Sequence, residues 1–314
     1  MSWQDIKHFR KAGQIQQAID AAVAALALDS QDFRAKSEYE WVMFDAIKGI
    51  VADIDEGLKN NKPVQPRDVS DLTGWMDAYY HLDPEIPGMA CANILAQLTK
   101  VGPHLPKFAS FINWIGLNGL RPEDWEPRQY QGNTYPSLAM NIARAVCKWT
   151  KAHPQANSKE LAIAMEWAEK VAKITQGDDA LWLNWDRALL FRQIGDFKRA
   201  AEILASVIKA KRSEFWVWAE AGRLYRTDQP DLAVACFCRA LECQAEPKFM
   251  GRTHRDLAEL LAEQGDHAQA SREVTVALDI RQAQGWRLSP EMQELMNSPW
   301  YDPAATGAMA PKDF

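Results

Sequence analysis

Long apolar runs are missing from this chain. The longest, 21–28, is far shorter than the roughly 20 residues a membrane-crossing helix requires. Cysteine is scarce: five residues, at 91, 147, 236, 238 and 243, with no C-x-x-C pair. That excludes a disulfide framework and a thiolate metal knuckle, and it fits buried, reduced thiols. The six histidines are scattered, with no H-x-x-x-H spacing to set two rings on one helical face. No glycine-rich phosphate loop, no G-x-S-x-G elbow and no convincing strand for an α/β active site occur. The expectation is therefore a non-enzyme with no catalytic residue, no metal site and no cofactor. The opening Met1-Ser2-Trp3-Gln4-Asp5 lacks the basic-then-apolar order of a secretory leader, which leads us to expect a cytoplasmic protein without a membrane partner.

What the chain does have is tryptophan, thirteen in 314 residues, and repetition. Gly195-Asp196-Phe197 recurs as Gly265-Asp266-His267. After each turn, small and apolar residues occur at i, i+4, i+7 and i+8: Ala200, Leu204, Val207 and Ile208, then Ala270, Val274, Ala277 and Leu278. Ala233, Phe237, Ala240 and Leu241 form a third copy between them. This spacing puts each set on one helical face. The alanines at 200, 233 and 270 are 33 and 37 residues apart, near the ~34-residue period of a helix-turn-helix repeat. A small residue at that position lets the paired helix approach closely.

On these residues the stretch 181–284 resembles tandem tetratricopeptide repeats (TPR). The middle copy carries the motif best, as Trp218, Gly222, Tyr225, Ala233, Phe237 and Ala240; the preceding one keeps Ala188, Phe191, Gly195 and Ala200. The resemblance implies an all-α, TPR-like solenoid in which the first helix of each pair lines a ligand groove, and it implies binding. A second, shorter resemblance rests on Arg121-Pro122-Glu123-Asp124-Trp125, Thr134-Tyr135-Pro136, Ala235-Cys236-Phe237-Cys238-Arg239 and Pro299-Trp300-Tyr301. These look like an uncharacterised bacterial repeat domain similar to those found in mobile-element conflict systems.

Taken in order, 1–62 reads as N-terminal TPR-like repeats: Phe9, Gly13, Ala18, Ala22 and Ala25 fall at the repeat offsets, and helices are expected at 33–50 and 51–58. Residues 63–136 leave the register and read as an irregular helical insert, with helices at 68–82, after Pro87-Gly88 and at 107–117. The insert ends in a long loop, 119–136, that Trp125, Tyr130 and Tyr135 are expected to pin down. Residues 137–301 resume the repeats, with Ser158 as a candidate cap and 290–296 as a terminal helix over Trp300 and Tyr301. A mobile tail is expected over 302–314.

Charge supplies the functional reading. The chain carries a net −6, yet the window 187–255 holds thirteen basic residues against eight acidic ones, leaving +5 there and −11 elsewhere. The groove slots implied by the TPR resemblance hold Trp182, Trp185 and Arg192, then Trp216, Arg223 and Arg226, then Arg252 and Arg255. Guanidinium groups beside tryptophan faces suit carboxylates and phosphates by paired hydrogen bonds, and bases by stacking. The leading expectation is a scaffold that recognises a protein partner through an acidic peptide or helix. The alternative is RNA or single-stranded DNA binding, in a bacterial defence or mobile-element setting. A bland reading of the same arginines is equally explicit: ion pairs with Glu220, Asp256 and Glu259 within and between repeats. The two differ in what loss of Arg223 and Arg226 does, to binding in one case and to stability in the other.

Overall fold

A computed structural model describes residues 1–304; the expected mobile tail lies outside the described residues from position 305 onward. Among the described residues the protein is all-α with a TPR-like series of helix pairs. Fifteen α-helices and three single-turn 3-10 segments account for almost all regular structure, and one short β-hairpin is the exception. Contacts divide the chain into two compact units, Met1–Ile194 and Gly195–Phe314.

The first unit begins with the pair α1 (Trp3–Lys11) and α2 (Ile15–Leu28), with α3 (Phe33–Lys59) next. The 33–59 stretch is one helix where two were expected. Asp32 caps its start by accepting from the Arg34 and Ala35 amides, and no proline or Asn pair breaks the helix before Asn60-Asn61; Gly49 and Gly57 each cost only about 1 kcal/mol in a helix interior. Then come α4 (Pro66–Leu82), α5 (Met89–Val101) and α6 (Phe108–Ile115), all near their expected positions. These insert helices do not form a core of their own. Leu72, Met76, Leu95, Phe108 and Ile112 are buried in the same cluster as Ile142, Val146 and Trp149, which lie beyond the insert in sequence.

The segment read as a loop contains the hairpin β1 (Arg128–Tyr130) and β2 (Asn133–Tyr135), paired antiparallel with Arg128 opposite Tyr135. Trp125 does pin the segment, stacking on the buried Trp167 with ring centroids 6.2 Å apart and planes 4° from parallel. Tyr130 and Tyr135 do not; both are exposed. Three helices close the unit: α7 (Leu138–Ala152), α8 (Ser158–Ala172) and α9 (Gly177–Gln193). The α8 cap falls one residue before the expected Ser158, on Asn157, whose side chain accepts from the Lys159 and Glu160 amides.

The second unit contains α10 (Phe197–Ala210), α11 (Phe215–Tyr225), α12 (Pro230–Glu242), α13 (Pro247–Glu263), α14 (His267–Ala283) and the terminal α15 (Pro290–Met296). The repeated Gly-Asp turns share one conformation. Gly195 and Gly265 take φ of +81° and +85°, in the left-handed region that only glycine enters without cost, and Asp196 and Asp266 then accept from the Arg199 and Gln269 amides, each at 3.1 Å. Ala200, Ala233 and Ala270 are all buried. Trp300 and Tyr301 pack with Met292 against Ala258, Val274 and Ala277, covering the end of the last pair.

Gly222 marks the tightest helix approach. A Cβ at this position would meet the ring of the buried Phe237 at 2.7 Å. Alanine would gain up to about 1 kcal/mol of helix propensity, but displacing a packed aromatic ring costs roughly 1–3 kcal/mol, so the clash should win. Gly222→Ala is therefore expected to lower stability by about 1–2 kcal/mol in thermal melts, and a variant more stable than wild type would contradict this packing.

Candidate functional site

Helix α11 contributes Trp216 and Arg223, with Arg226 as its C-cap residue, and α13 contributes Arg252 and Arg255. Helical spacing puts Arg223 and Arg226 on one side of α11, facing a row of acids one turn apart on α13: Asp256, Glu259 and Glu263. The arginines meet that row in register. Arg223 donates to Asp256 at 2.6 Å and contacts Glu220 at 3.2 Å; Arg226 donates to Glu259 at 2.9 Å and to Glu263 at 2.5 Å. Arg255 reaches the second oxygen of Asp256 at 2.9 Å. The ion pairs named in the bland reading are thus all present, and Glu263 joins them.

The arginines are not equivalent. Asp256 and Glu220 are buried, so Arg223 and Arg255 neutralise carboxylates cut off from water. Arg252 approaches the same Asp256 oxygen as Arg223 only to 3.7 Å, and its side chain is 60% exposed. Three guanidinium groups therefore surround one buried carboxylate, and the outermost faces solvent. Hydrogen bonds to Glu263 and Glu259 outweigh the burial that works against the Arg226 charge, raising its pKa above the usual arginine value.

The opposite end of this surface is acidic. A cavity of about 540 Å³ opens between α13 and α15, with Arg226, Glu259, Glu263, Glu291 and Glu294 around an apolar side formed by Leu295 and Trp300. The surface is thus cationic at Arg252 and anionic at Glu291 and Glu294. Sequence reasoning missed the acidic half because Glu291 and Glu294 lie on the terminal helix, which it assigned only a covering role.

The remaining candidates belong to the first unit. Trp182 is 37% exposed on α9, with the Arg144 guanidinium 5.9 Å from its ring centroid. Trp185 and Arg192 are half-buried on the same helix. Arg144 is fixed by Asp186 at 2.7 Å; burial pushes that carboxyl above its ordinary pKa, and Arg144 opposes the shift. In the second unit Trp218, the first motif residue of the middle repeat, is half-buried and donates its indole N–H to the Arg212 carbonyl at 2.9 Å.

Sequence reasoning also passed over α7. Ten of its residues are buried, and what reaches solvent is chiefly one stripe: Asn141, Arg144, Lys148 and Lys151. Their spacing of 3, 4 and 3 inside an apolar helix was the available signal. Partial burial, then the neighbouring Arg144, pulls the Lys148 ammonium below its ordinary pKa.

Among the described residues no group of three or more His, Cys, Asp or Glu side chains could hold a metal ion, all five cysteines are buried thiols, and no helix is long and apolar enough to cross a membrane. No curated protein matches the chain. Among solved structures, BtubC (BKLC) from P. vanneervenii is similar at 16% identity, covering 80% of this chain and 94% of that one, with a TM-score of 0.43. The TPR2AB domain of yeast Sti1, solved as its pHSP90 complex, is similar at 12% identity, with 93% and 94% coverage and a TM-score of 0.35. A family model described as a domain of unknown function, DUF7017, matches residues 181–314, less than half of the chain.

Proposed function

We propose that this protein is a non-catalytic scaffold that binds a segment of a partner protein across α11 and α13. The observation that carries this reading is the convergence of Arg223, Arg252 and Arg255 on the single buried carboxylate of Asp256, with Arg252 left exposed. The two inner arginines hold the fold, and the outer one offers its paired N–H donors to a ligand carboxylate. Trp216 lies on the first turn of the same α11, one position from the helix start, where an aromatic face can flank the bound segment. The acidic cavity beside Arg226 sets the direction: an acidic residue of the segment sits at Arg252, and a lysine or arginine of the same segment points toward Glu291 and Glu294.

A fluorescein-labelled twelve-residue peptide, acidic in its first half and basic in its second, provides the test. Arg252→Glu should weaken its binding about tenfold or more, since a charge-assisted hydrogen bond contributes about 1.5–3 kcal/mol. The melting temperature should stay within a degree or two, because the side chain is exposed and only loosely paired. Wild-type affinity in the folded variant would refute the assignment of this surface.

A further inference from the structure

The first unit carries a second surface with different chemistry. In the β1–β2 hairpin, Arg128 lies opposite Tyr135 and Tyr130 opposite Asn133, so these four side chains share one face, while Gln129 and Thr134 hydrogen-bond to each other on the other. Tyr130 and Tyr135 are 63% and 47% exposed. Beside them is a cavity of about 480 Å³, bordered on the helical side by Ala96 of α5 and by Asn141 of α7. Asn141 begins the solvent stripe of α7, which continues through Arg144, Lys148 and Lys151, and Arg144 lies over the Trp182 ring. Aromatic faces thus stand at the hairpin and at α9, with a row of cations on α7.

The local charge balance favours an anion. Of the three acids paired with these cations, Glu123 is exposed, 3.1 Å from Arg121, and the other two are buried: Asp186 holds Arg144, and Asp124 holds Arg121 at 2.8 Å with Arg128 at 3.4 Å. The buried two fix the guanidinium groups from beneath and present little negative charge to solvent. Asp178 and Asp179 lie in the first turn of α9, at the positive end of that helix. Lys148 and Lys151 are exposed, and Arg144 and Lys151 both crowd the Lys148 ammonium. Like charges gathered on one helix face cost stability, and a bound anion relieves that repulsion. Three exposed aromatic rings distinguish this surface from a plain anion site, because flat π-faces alternating with cations are the recurring means of holding unpaired bases and their phosphates.

We infer that the α7 stripe, together with the Tyr130–Tyr135 hairpin and Trp182, binds single-stranded nucleic acid: phosphates lie along Arg144, Lys148 and Lys151, and a base enters the hairpin cavity between the tyrosines and Asn141. A cavity of this volume admits a nucleobase with its sugar, and the Asn141 amide offers a donor and an acceptor to a base edge.

Fluorescence anisotropy of the full chain tests the inference, with labelled 15-nucleotide DNA, 15-nucleotide RNA, a 15-base-pair duplex and an acidic peptide of matched charge. Single strands should bind better than the duplex and, in the Arg252→Glu protein, better than the peptide, and the DNA and RNA arms identify which sugar is preferred. Three phosphate contacts predict a slope of about −2 in log affinity against log salt, roughly a 15- to 20-fold loss between 50 and 200 mM. Lys148→Glu with Lys151→Glu should remove most binding and the salt dependence. Tyr130→Ala with Tyr135→Ala should weaken binding at least tenfold while leaving the salt slope unchanged. All four side chains are exposed, so melting temperatures should hold. Arg252→Glu, which tests the peptide surface on α13, should leave oligonucleotide binding intact, so the two assignments can fail separately. Duplex binding as tightly as single strands, acidic peptide binding the Arg252→Glu protein as tightly as single strands do, or wild-type affinity in either double variant, would overturn the inference.

Discussion

Replacing Arg223 with glutamate should destabilise the protein by about 3–5 kcal/mol, lowering the melting temperature by about 10 °C or more. Arg223 bridges Glu220 and Asp256, two carboxylates that are buried and have given up their hydration. Removing the guanidinium leaves them short of donors, and the new carboxylate adds repulsion between them. Arg252→Glu, aimed at the same Asp256 from solvent, should cost under about 1 kcal/mol. Two arginines on one carboxylate thus separate into a structural and a ligand-facing role by burial alone. If Arg223→Glu melts with the wild type, the internal pairing contributes little, and the arginines of α11 are held for a ligand.

A buried carboxyl in the first unit should give the second large effect. Glu40 of α3 accepts a hydrogen bond from the Tyr79 hydroxyl at 3.1 Å. Burial pushes its pKa up to about 7 from an ordinary 4.5; the Tyr79 hydrogen bond opposes the shift and nearby Glu85 adds to it. Folding therefore takes up a proton between these two values. The resulting stabilisation is complete below about pH 4.5 and is lost as pH rises through about 7. The gap corresponds to about 3 kcal/mol. Glu40→Gln keeps an acceptor for Tyr79 and stays neutral, so it should match the wild type near pH 4.5 and exceed it by about 3 kcal/mol at about pH 8. Denaturant melts of the two proteins across this range, read as their difference, check it. A constant difference would mean that Glu40 ionises freely in the folded chain.

The repeats were legible because their determinants are local. A glycine enters the left-handed region, the aspartate after it caps the next helix, and a small residue four positions further on allows the close helix contact. Gly195, Asp196 and Ala200 do this once, and Gly265, Asp266 and Ala270 do it again, each set within a few residues of sequence. The single helix at 33–59 was harder to read, since an apolar pattern shows where a helix faces the core more clearly than where it stops.

The candidate surfaces were legible only in part, and the reason is again physical. The resemblance to tetratricopeptide repeats implied that Arg223, Arg226, Arg252 and Arg255 occupy groove slots on the first helices of successive pairs. It could not decide their partners, because Asp256, Glu259 and Glu263 lie 33 to 37 residues from the arginines they hold, Arg223 and Arg226, and only packing α11 against α13 brings the two rows into register. Likewise the sequence determined that α7 is an apolar helix with a few cations, while the tertiary structure decided that those cations are its solvent face, by covering the remaining sides with neighbouring helices. Local propensity fixes which residues share a helical face. Whether that face meets water, a counter-charge or the core depends on contacts between residues far apart in the chain, and these exist only once the helices have packed.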